Sequence, residues 1–469
     1  MTRTPVLADA STRLTGDALT GRVLAAALAL RERGVAPGDR VLVQGDNSVE
    51  YVIALLALMH LDASLVPLDH RDSAEGSRAA AEQAGVRWLL GDGTPVPFLP
   101  AERAIDRNGL GGEPVAGEVD LDTWLRRDDA LVLWSSGTTG RPKGIVKSGR
   151  AVLDNTRRTV EAMGYREDDV LSPLLPFSHQ YGLSVLLLWW LAGCTLLVTP
   201  YQRLDLAVTQ TAAARATAVD ASPSTYHALL GIVRHRPELR TALASVRLWG
   251  VGGAPLSPLL AQAFAETMGG PLLDGYGLTE LGNVALATPD STAGCGRPLP
   301  GLGLRIAHAD GRRSVPGELG EIEVRSPGLM EGYLLADGSL TPVAPGSWFA
   351  TGDLGRLDES GNLHVAGRNR AVHRLGFTLY PEHLERKAEN CGRPVKVLAV
   401  DDPRRGASLH FVVADPDGDT PAAWRGRLTA HLADYEQPNA VHVVDRFPLT
   451  PNGKVDPHAL RTLIGAPPA

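Results

Sequence analysis

Apolar and polar residues recur with two different periods along the first third of the chain. Residues 23–33 carry apolar side chains at helical spacing, and Gly34 with the Pro37–Gly38 turn marks the end of that helix. The apolar runs at residues 40–44 and 63–67 have the length of buried strands. Strands that alternate with helices in this way predict a largely parallel sheet with helices on both faces.

The later part of the chain changes its pattern twice. Near Gly301 the helical segments give way to short strands separated by turns, and a second mixed region of helices and strands starts at Arg370. The sequence therefore predicts an α/β protein with a large N-terminal part of mixed, largely parallel sheets covered by helices, and a small α+β part after it. Further predicted helices are residues 47–59, 151–163, 205–218 and 256–268, and further strands are residues 321–324, 348–350 and 363–365.

The most apolar stretch of the chain covers residues 182–198. It is slightly short for a membrane span and is interrupted at Ala192–Gly193, so we interpret it as a buried helix followed by a core strand. Residues 1–14 lack the apolar segment of a secretory signal. We expect a cytoplasmic protein without a membrane partner.

Composition excludes several classes of function. The 469 residues are 44% hydrophobic and 21% charged, which is typical of a globular protein with a real core. The net charge is −7 and no long basic run occurs, so nucleic acid is a poor candidate for a partner. Cys194, Cys295 and Cys391 lie far apart without metal-ligand spacing, which indicates neither a disulfide framework nor a structural zinc site.

A loop rich in glycine and hydroxyl groups follows the apolar run at residues 130–134. It reads Ser135-Ser136-Gly137-Thr138-Thr139-Gly140-Arg141-Pro142-Lys143-Gly144. Such a loop offers backbone N–H and side-chain O–H donors to a polyphosphate, and Lys143 adds positive charge. A single loop of this kind is as often an ordinary connection. No GxxxxGK[ST] motif occurs in the chain, which disfavours a P-loop ATPase or kinase.

The loop resembles the phosphate loop of the adenylate-forming superfamily, which contains acyl-CoA synthetases, peptide-synthetase adenylation domains and luciferase. The resemblance covers nearly the whole chain, because further motifs follow in the family's order. They are Pro176-Phe177-Ser178-His179-Gln180-Tyr181-Gly182, Gly252-Gly253-Ala254-Pro255-Leu256, Tyr276-Gly277-Leu278-Thr279-Glu280, Thr351-Gly352-Asp353, Gly367-Arg368 and Pro451-Asn452-Gly453-Lys454.

The resemblance implies that a carboxylic acid attacks ATP to form acyl-AMP and pyrophosphate. Thr279 would lie at the α-phosphate, and Glu280 would be the ligand of Mg²⁺, an ion that prefers oxygen donors. Asp353 would hold the ribose hydroxyls with help from Arg368. The nucleotide contacts implied in this way are Ser135, Ser136, Gly137, Thr138, Thr139, Gly140, Lys143, Gly252, Gly253, Ala254, Asp274, Tyr276, Gly277, Asp353 and Arg368.

The resemblance also implies a division into two domains. Residues 1–367 would bind AMP and the acid, and residues 368–469 would form a mobile domain that carries Lys454 and turns about a hinge at Arg370. Lys454 would bridge the substrate carboxylate and the α-phosphate during adenylation. The loop after the hinge departs from the family pattern at Arg370, His373 and Leu375. Transfer to a standard thiol acceptor is therefore a weaker expectation than adenylation.

Candidate residues of the acid pocket follow from motif position: His179, which is also a catalytic candidate, Tyr181, Trp249, Val251 and Asn283. Residues 180–191 contain no acidic side chain. Because a buried ammonium without a counter-charge is costly, an α-amino acid is disfavoured. We expect an aryl, alkenoic, alicyclic or fatty acid.

Three hypotheses stay open for the step after adenylation and for activity itself. The first gives the acyl group to coenzyme A. The second gives it to the phosphopantetheine of an acyl carrier protein or to a small nitrogen nucleophile. The third treats the chain as a non-catalytic nucleotide-binding relative, which the presence of Thr279, Glu280, Asp353, Arg368 and Lys454 together disfavours.

Overall fold

The computed structural model describes residues 5–135, 143–308, 312, 314–368, 372–374, 377–402, 406–450 and 453–465. Several predicted site residues lie outside this set. They are Ser136, Gly137, Thr138, Thr139 and Gly140 of the phosphate loop, Arg370 and Leu375 at the predicted hinge, and the side chains of Ser135 and His373.

Strands alternate with helices through the first half of the chain, as the sequence predicts. The strands are β1 Val6–Ala8, β2 Arg13–Thr15, β3 Arg40–Val43, β4 Ser64–Pro67, β5 Trp88–Gly91, β6 Ala104–Asp106, β7 Leu131–Ser135, β8 Lys143–Lys147, β9 Val170–Pro173, β10 Thr195–Leu197, β11 Ala218–Ala221, β12 Leu248–Val251, β13 Leu273–Leu278, β14 Gly282–Leu286, β15 Arg297–Pro298, β16 Gly303–Ala307, β17 Gly320–Arg325, β18 Gly332–Leu334, β19 Leu340–Pro342, β20 Phe349–Leu357, β21 Leu363–Arg368, β22 Val372–Arg374, β23 Phe377–Leu379, β24 Val395–Asp402, β25 Gly406–Ala414 and β26 Ala440–Val444.

The helices cover the faces of the sheets and cap their ends. They are α1 Gly16–Glu32, α2 Val49–His60, α3 Ala74–Gln83, α4 Asp122–Arg126, α5 Gly149–Met163, α6 Gln180–Ala192, α7 Leu204–Ala213, α8 Pro223–His235, α9 Pro237–Ala242, α10 Pro258–Met268, α11 Pro381–Ala388, α12 Pro421–Thr429 and α13 Pro457–Leu463.

Two large sheets build the N-terminal part within the described residues. One has the strand order β15-β14-β13-β12-β11-β9-β10-β1-β2, and the other has the order β19-β18-β8-β7-β4-β3-β5-β6. The pairs from β1 to β13 in the first sheet and from β6 to β7 in the second are parallel, while β2, β14 and β15 in the first sheet and β8, β18 and β19 in the second are added antiparallel. The predicted fold class, a large N-terminal α/β part with mostly parallel sheets, is confirmed.

The helices α2 and α6 are buried on nearly every side and belong to the same large apolar cluster. At α2 the Ser48 side chain accepts a hydrogen bond from the Tyr51 N–H, which satisfies one free donor of the first turn. The stretch at residues 182–198 forms the rest of α6 and then β10, as predicted. Within the described part of the chain, no helix combines the length and apolar character needed to cross a lipid bilayer.

One predicted helix is too long. The sequence predicts a helix over residues 205–218, whereas α7 ends at Ala213 and Ala218 begins strand β11. Arg215 adopts a positive φ of 51°, which ends the helix without a glycine. The alanine-rich run gave no other signal of the boundary.

The C-terminal part contains smaller sheets. A four-stranded sheet, β16-β17-β20-β21, precedes the short hairpin β22-β23 and the sheet β24-β25-β26 with helices α11 to α13. Strands β24 to β26 have an apolar cluster of their own, centred on Phe411 and Trp424. This agrees with the predicted small α+β region.

Candidate active site

The loop between β13 and β14 carries Thr279 and Glu280 at the edge of the first large sheet. The ammonium of Lys147 donates to two carbonyl oxygens of this loop, those of Thr279 and Glu280, at 3.3 and 3.4 Å. It also donates to the carbonyl oxygen of Gly328 at 2.9 Å. Lys147 is 1% exposed, and burial lowers its pKa to about 7. Sequence reasoning missed this residue, although a lysine at the end of the apolar strand β8 was a visible signal.

Tyr333 contacts both the Glu280 side chain and Lys143, the described lysine of the predicted phosphate loop. The Tyr333 hydroxyl donates to Glu280 Oε1 at 3.0 Å. The Lys143 ammonium lies 5.2 Å from the centre of the Tyr333 ring, within the range of a cation–π contact. Glu280 is partly exposed, so a carboxylate oxygen is accessible to a hard cation. This donor chemistry fits the Mg²⁺ ion that the sequence implies.

A second carboxylate is fixed at both of its oxygens. Tyr276 donates from its hydroxyl to Asp353 Oδ2 at 2.6 Å, and Arg368 Nε lies 3.2 Å from Asp353 Oδ1. The register of β20 and β21 places Asp353 opposite Arg368. Burial raises the pKa of Asp353, and Arg368 and Tyr276 act against that increase. The two contacts restrain the carboxylate in one orientation, as recognition of paired hydroxyls requires.

Lys454 lies within electrostatic range of this carboxylate although it is near the C-terminus. Gly453 and Lys454 belong to a turn near the C-terminus, called the C-terminal turn below. The Gly453 carbonyl accepts a hydrogen bond from Ser224 Oγ at 2.7 Å, which joins this turn to helix α8. Desolvation and the Arg368 guanidinium lower the pKa of Lys454, while Asp353 opposes them. The Lys454 side chain is exposed, and its charge interacts with those of Asp353 and Arg368.

The other predicted nucleotide contacts surround this cleft. A Cβ on Gly252 would lie 3.2 Å from Tyr181 Cε1 and 3.3 Å from the Gly275 carbonyl oxygen, so the strand ends approach closely here. Gly253 and Ala254 follow directly, and Gly277 packs against the Gly282 carbonyl. Asp274 accepts a contact from the Cys295 thiol at 3.4 Å, and burial raises its pKa to about 6.

His179 lies at the start of helix α6 and faces a buried carboxylate. Its Nε2 is 3.5 Å from Asp69 Oδ2. Burial alone would raise the pKa of Asp69, but the hydrogen bonds from Arg71 and the nearby His179 ring hold it well below its usual value. Asp69 therefore presents an ionised carboxylate to His179. It was not among the predicted site residues, although it ends the Val66-Pro67-Leu68-Asp69 segment.

The predicted acid-pocket residues fall into two groups. Tyr181 lies along Gly250 and Gly252 and donates from its hydroxyl to Asp220 Oδ1 at 2.9 Å. Trp249 and Val251 point to the other face of β12, where they pack in the apolar cluster of helices α8 and α10. Strand alternation explains this difference, because glycines and large residues occupy opposite faces.

Asn283 is hydrogen-bonded to helix α5. Its side-chain amide donates to Thr159 Oγ1 of α5 at 3.1 Å, and its backbone pairs with Asn155. The structure thus gives Trp249, Val251 and Asn283 packing roles.

Comparison with known proteins extends these observations. The sequence profile described as AMP-binding enzyme matches residues 2–334, and that of the AMP-binding enzyme C-terminal domain matches residues 393–454. A feruloyl-CoA synthase from Amycolatopsis sp is 30% identical, covering 95% of this chain and 92% of that protein. A methyl-dioxo-octahydro-indenyl propanoyl:CoA ligase from Mycobacterium tuberculosis is also 30% identical, covering 96% and 94%. The amide bond synthetase McbA from Marinactinospora thermotolerans has a solved structure that is 27% identical, with a TM-score of 0.84, covering 98% of this chain and 97% of that one.

Proposed function

This chain belongs to the AMP-binding enzyme family of adenylate-forming, acyl-CoA synthetase-like ligases, and we propose that it activates an aryl or alicyclic carboxylic acid and transfers the acyl group to coenzyme A. The observation that carries the proposal is the position of Lys454. Its charge interacts with those of Asp353 and Arg368, and Ser224 holds the preceding residue, Gly453, by a hydrogen bond.

The first half-reaction joins two anions, so it depends on positive charge and alignment. A carboxylate oxygen attacks the α-phosphorus of ATP, the bond to the β-phosphate oxygen breaks, and pyrophosphate leaves. Lys454 offsets the repulsion between the carboxylate and the α-phosphate, and Asp353 holds the ribose. Glu280 would hold Mg²⁺, which supplies further positive charge to the phosphate oxygens.

In the second half-reaction a thiolate attacks the acyl carbon and AMP leaves. We propose that residues 368–469 form a mobile domain that carries Lys454 away at this point. Among the described residues, the recorded contact that holds Gly453 and Lys454 against helix α8 is one hydrogen bond from Ser224 to the Gly453 carbonyl, together with the charges around Lys454. Such a limited contact suits a domain that must leave and return.

We expect this enzyme to release AMP and pyrophosphate in the presence of Mg²⁺, ATP, an aryl acid and coenzyme A. Products can be separated by ion-exchange chromatography, with a panel of aryl, alkenoic, alicyclic and fatty acids as substrates. No pyrophosphate with any acid would favour a non-catalytic relative. ADP and inorganic phosphate as the direct products would contradict the proposal.

Asp353→Asn should weaken both half-reactions, because the ribose is held throughout. The variant keeps the size of the side chain and loses charge-assisted hydrogen bonds, which corresponds to about a tenfold to hundredfold loss. The measurements are the KM for ATP in adenylation and the KM for supplied acyl-AMP in transfer. Asp358→Asn is the matched control. Asp358 lies in the turn after β20, where its carboxylate is hydrogen-bonded to the side chains of Asn362 and His364. Unchanged KM values for Asp353→Asn would remove Asp353 from the nucleotide site.

A second acceptor is favoured by one comparison. The similarity to an amide bond synthetase supports a small amine as an alternative to coenzyme A. Supplying coenzyme A, a phosphopantetheinylated carrier protein and small primary amines to preformed acyl-AMP, in separate reactions, distinguishes the three acceptors by product mass.

A further inference from the structure

A buried carboxyl group lies beside the proposed acid pocket. Asp220 belongs to strand β11 and is 7% exposed. Its Oδ1 accepts a hydrogen bond from the Tyr181 hydroxyl at 2.9 Å. Within the residues that the structure describes, Tyr181 is its one recorded hydrogen-bond partner and no cation pairs with it.

Other buried aspartates in the described chain have an arginine partner, which makes Asp220 an exception. Their ion pairs are Asp39 with Arg87, Asp69 with Arg71, Asp169 with Arg247, Asp353 with Arg368 and Asp415 with Arg393. A carboxyl group buried without a cation is costly, because it loses its hydration and gains little in return. Burial raises the pKa of Asp220 to about 6, with only the Tyr181 hydrogen bond acting against the increase.

Two glycines pack against the Tyr181–Asp220 pair. A Cβ on Gly250 would lie 2.4 Å from Asp220 Oδ1 and 3.3 Å from the Tyr181 hydroxyl oxygen. Gly252 packs against the ring of Tyr181 in the same way. The two glycines therefore leave the Tyr181–Asp220 pair on the face of β12 opposite the Trp249 cluster.

The position of the pair in the sheet indicates which part of a substrate it would meet. Strand β11 is separated by β12 from β13, the strand that carries Tyr276. Neighbouring strands are about 4.8 Å apart, so Asp220 lies about 10 Å across the sheet from the nucleotide-contacting strand. A group at that distance faces the end of the acid that is remote from the reacting carboxylate.

We propose that Asp220 and Tyr181 bind a hydroxyl or amino group on the remote end of the acid, so that the substrate is a hydroxy- or amino-substituted aryl acid. This inference rests on the proposed function and specifies its substrate class. The donor on the acid supplies the partner that Asp220 lacks in the protein, while Tyr181 orients the carboxyl group. Residues 180–191 contain no acid, so the carboxyl acceptor for this donor comes from β11.

The test compares matched acids that differ in one donor group. Pyrophosphate release is measured with para-aminobenzoate against para-methylbenzoate, and with para-hydroxycinnamate against cinnamate. For the wild-type enzyme we expect kcat/KM to favour the donor-bearing acid by about tenfold to a hundredfold, the range of a hydrogen bond to a charged group. In Asp220→Leu the ratio of kcat/KM for the two acids of each pair should fall to about one, because the acceptor of the hydrogen bond is gone.

Two further variants keep the inference testable if Asp220→Leu does not fold. Tyr181→Phe should keep part of the preference, because the carboxyl group stays in place. Asp220→Asn keeps the volume and one acceptor oxygen, and should lose the preference for the amino group; it replaces Asp220→Leu if that variant does not fold. Equal use of both acids of each pair by the wild type, or an unchanged preference in the Asp220 variant, overturns the inference while leaving the proposed function intact. Absence of pyrophosphate release with every acid of the broad panel would instead refute the proposed function itself.

Discussion

Lys454→Ala should slow adenylate formation by about a hundredfold to a thousandfold, the usual cost of losing one preorganised charge contact in a transition state. The same variant should consume chemically synthesised acyl-AMP at nearly the wild-type rate. The reason is electrostatic, because repulsion between the carboxylate and the α-phosphate exists only in the first step. Measuring pyrophosphate release and acyl-AMP consumption separately gives the two rates.

The control for Lys454 is a lysine of the same C-terminal region that does not reach the cleft. Lys387 forms an ion pair with Glu436 at 2.6 Å, so Lys387→Ala removes an equal charge that is held by a different carboxylate. Because Glu436 is buried, the folding of this variant is checked by thermal melting, and the folded protein should keep the wild-type ratio of the two half-reaction rates. Equal slowing of both half-reactions in Lys454→Ala would refute the division of roles between the two steps.

Much of the fold was predictable because local sequence patterns, such as caps and apolar runs, agree with the helices and strands of the structure. The helix capped by Ser48, the apolar run that becomes α6 and β10, and the change of pattern near Gly301 all indicate the observed elements. The end of α7 was not predictable in this way. Arg215 adopts a positive φ there, and an arginine gives no sequence signal for that conformation.

The site was predictable only where the order of the family motifs indicated which distant residues meet, because spacing along the chain does not show this. Tyr276 and Asp353 are 77 positions apart, and no local pattern pairs them. Lys147 and Asp220 were missed because a charged residue in an apolar strand gives no indication of its partner. Trp249 and Val251 were assigned to the pocket by position. Their alternation with Gly250 and Gly252 was visible and places them on the face opposite the glycines, but motif position alone does not say which face meets the substrate.

Contact between the C-terminal turn and helix α8 offers a way to hold the enzyme in one state. A Cβ on Gly453 would lie 2.6 Å from Ser224 Oγ, close enough for a disulfide after a small shift. Ser224→Cys with Gly453→Cys, made in a Cys391→Ser background because that native thiol is partly exposed, should therefore form a disulfide under mild oxidation. Gly453 has a φ of 72°, so a side chain there costs about 1 kcal/mol, which the single variant Gly453→Cys measures.

The oxidised double variant should make acyl-AMP in a single burst and then nearly stop. Its turn stays joined to α8, Lys454 cannot leave the cleft, and the acyl carbon is not presented to the thiol. Transfer from supplied acyl-AMP should be nearly abolished, and addition of a reductant should restore it, because only the disulfide blocks the domain movement. Either single-cysteine variant, oxidised in the same way, should keep both half-reactions, which separates the lock from the substitutions. If the oxidised double variant transfers its acyl group as fast as the reduced one, residues 368–469 do not need to move, and adenylation and transfer share one arrangement of the site.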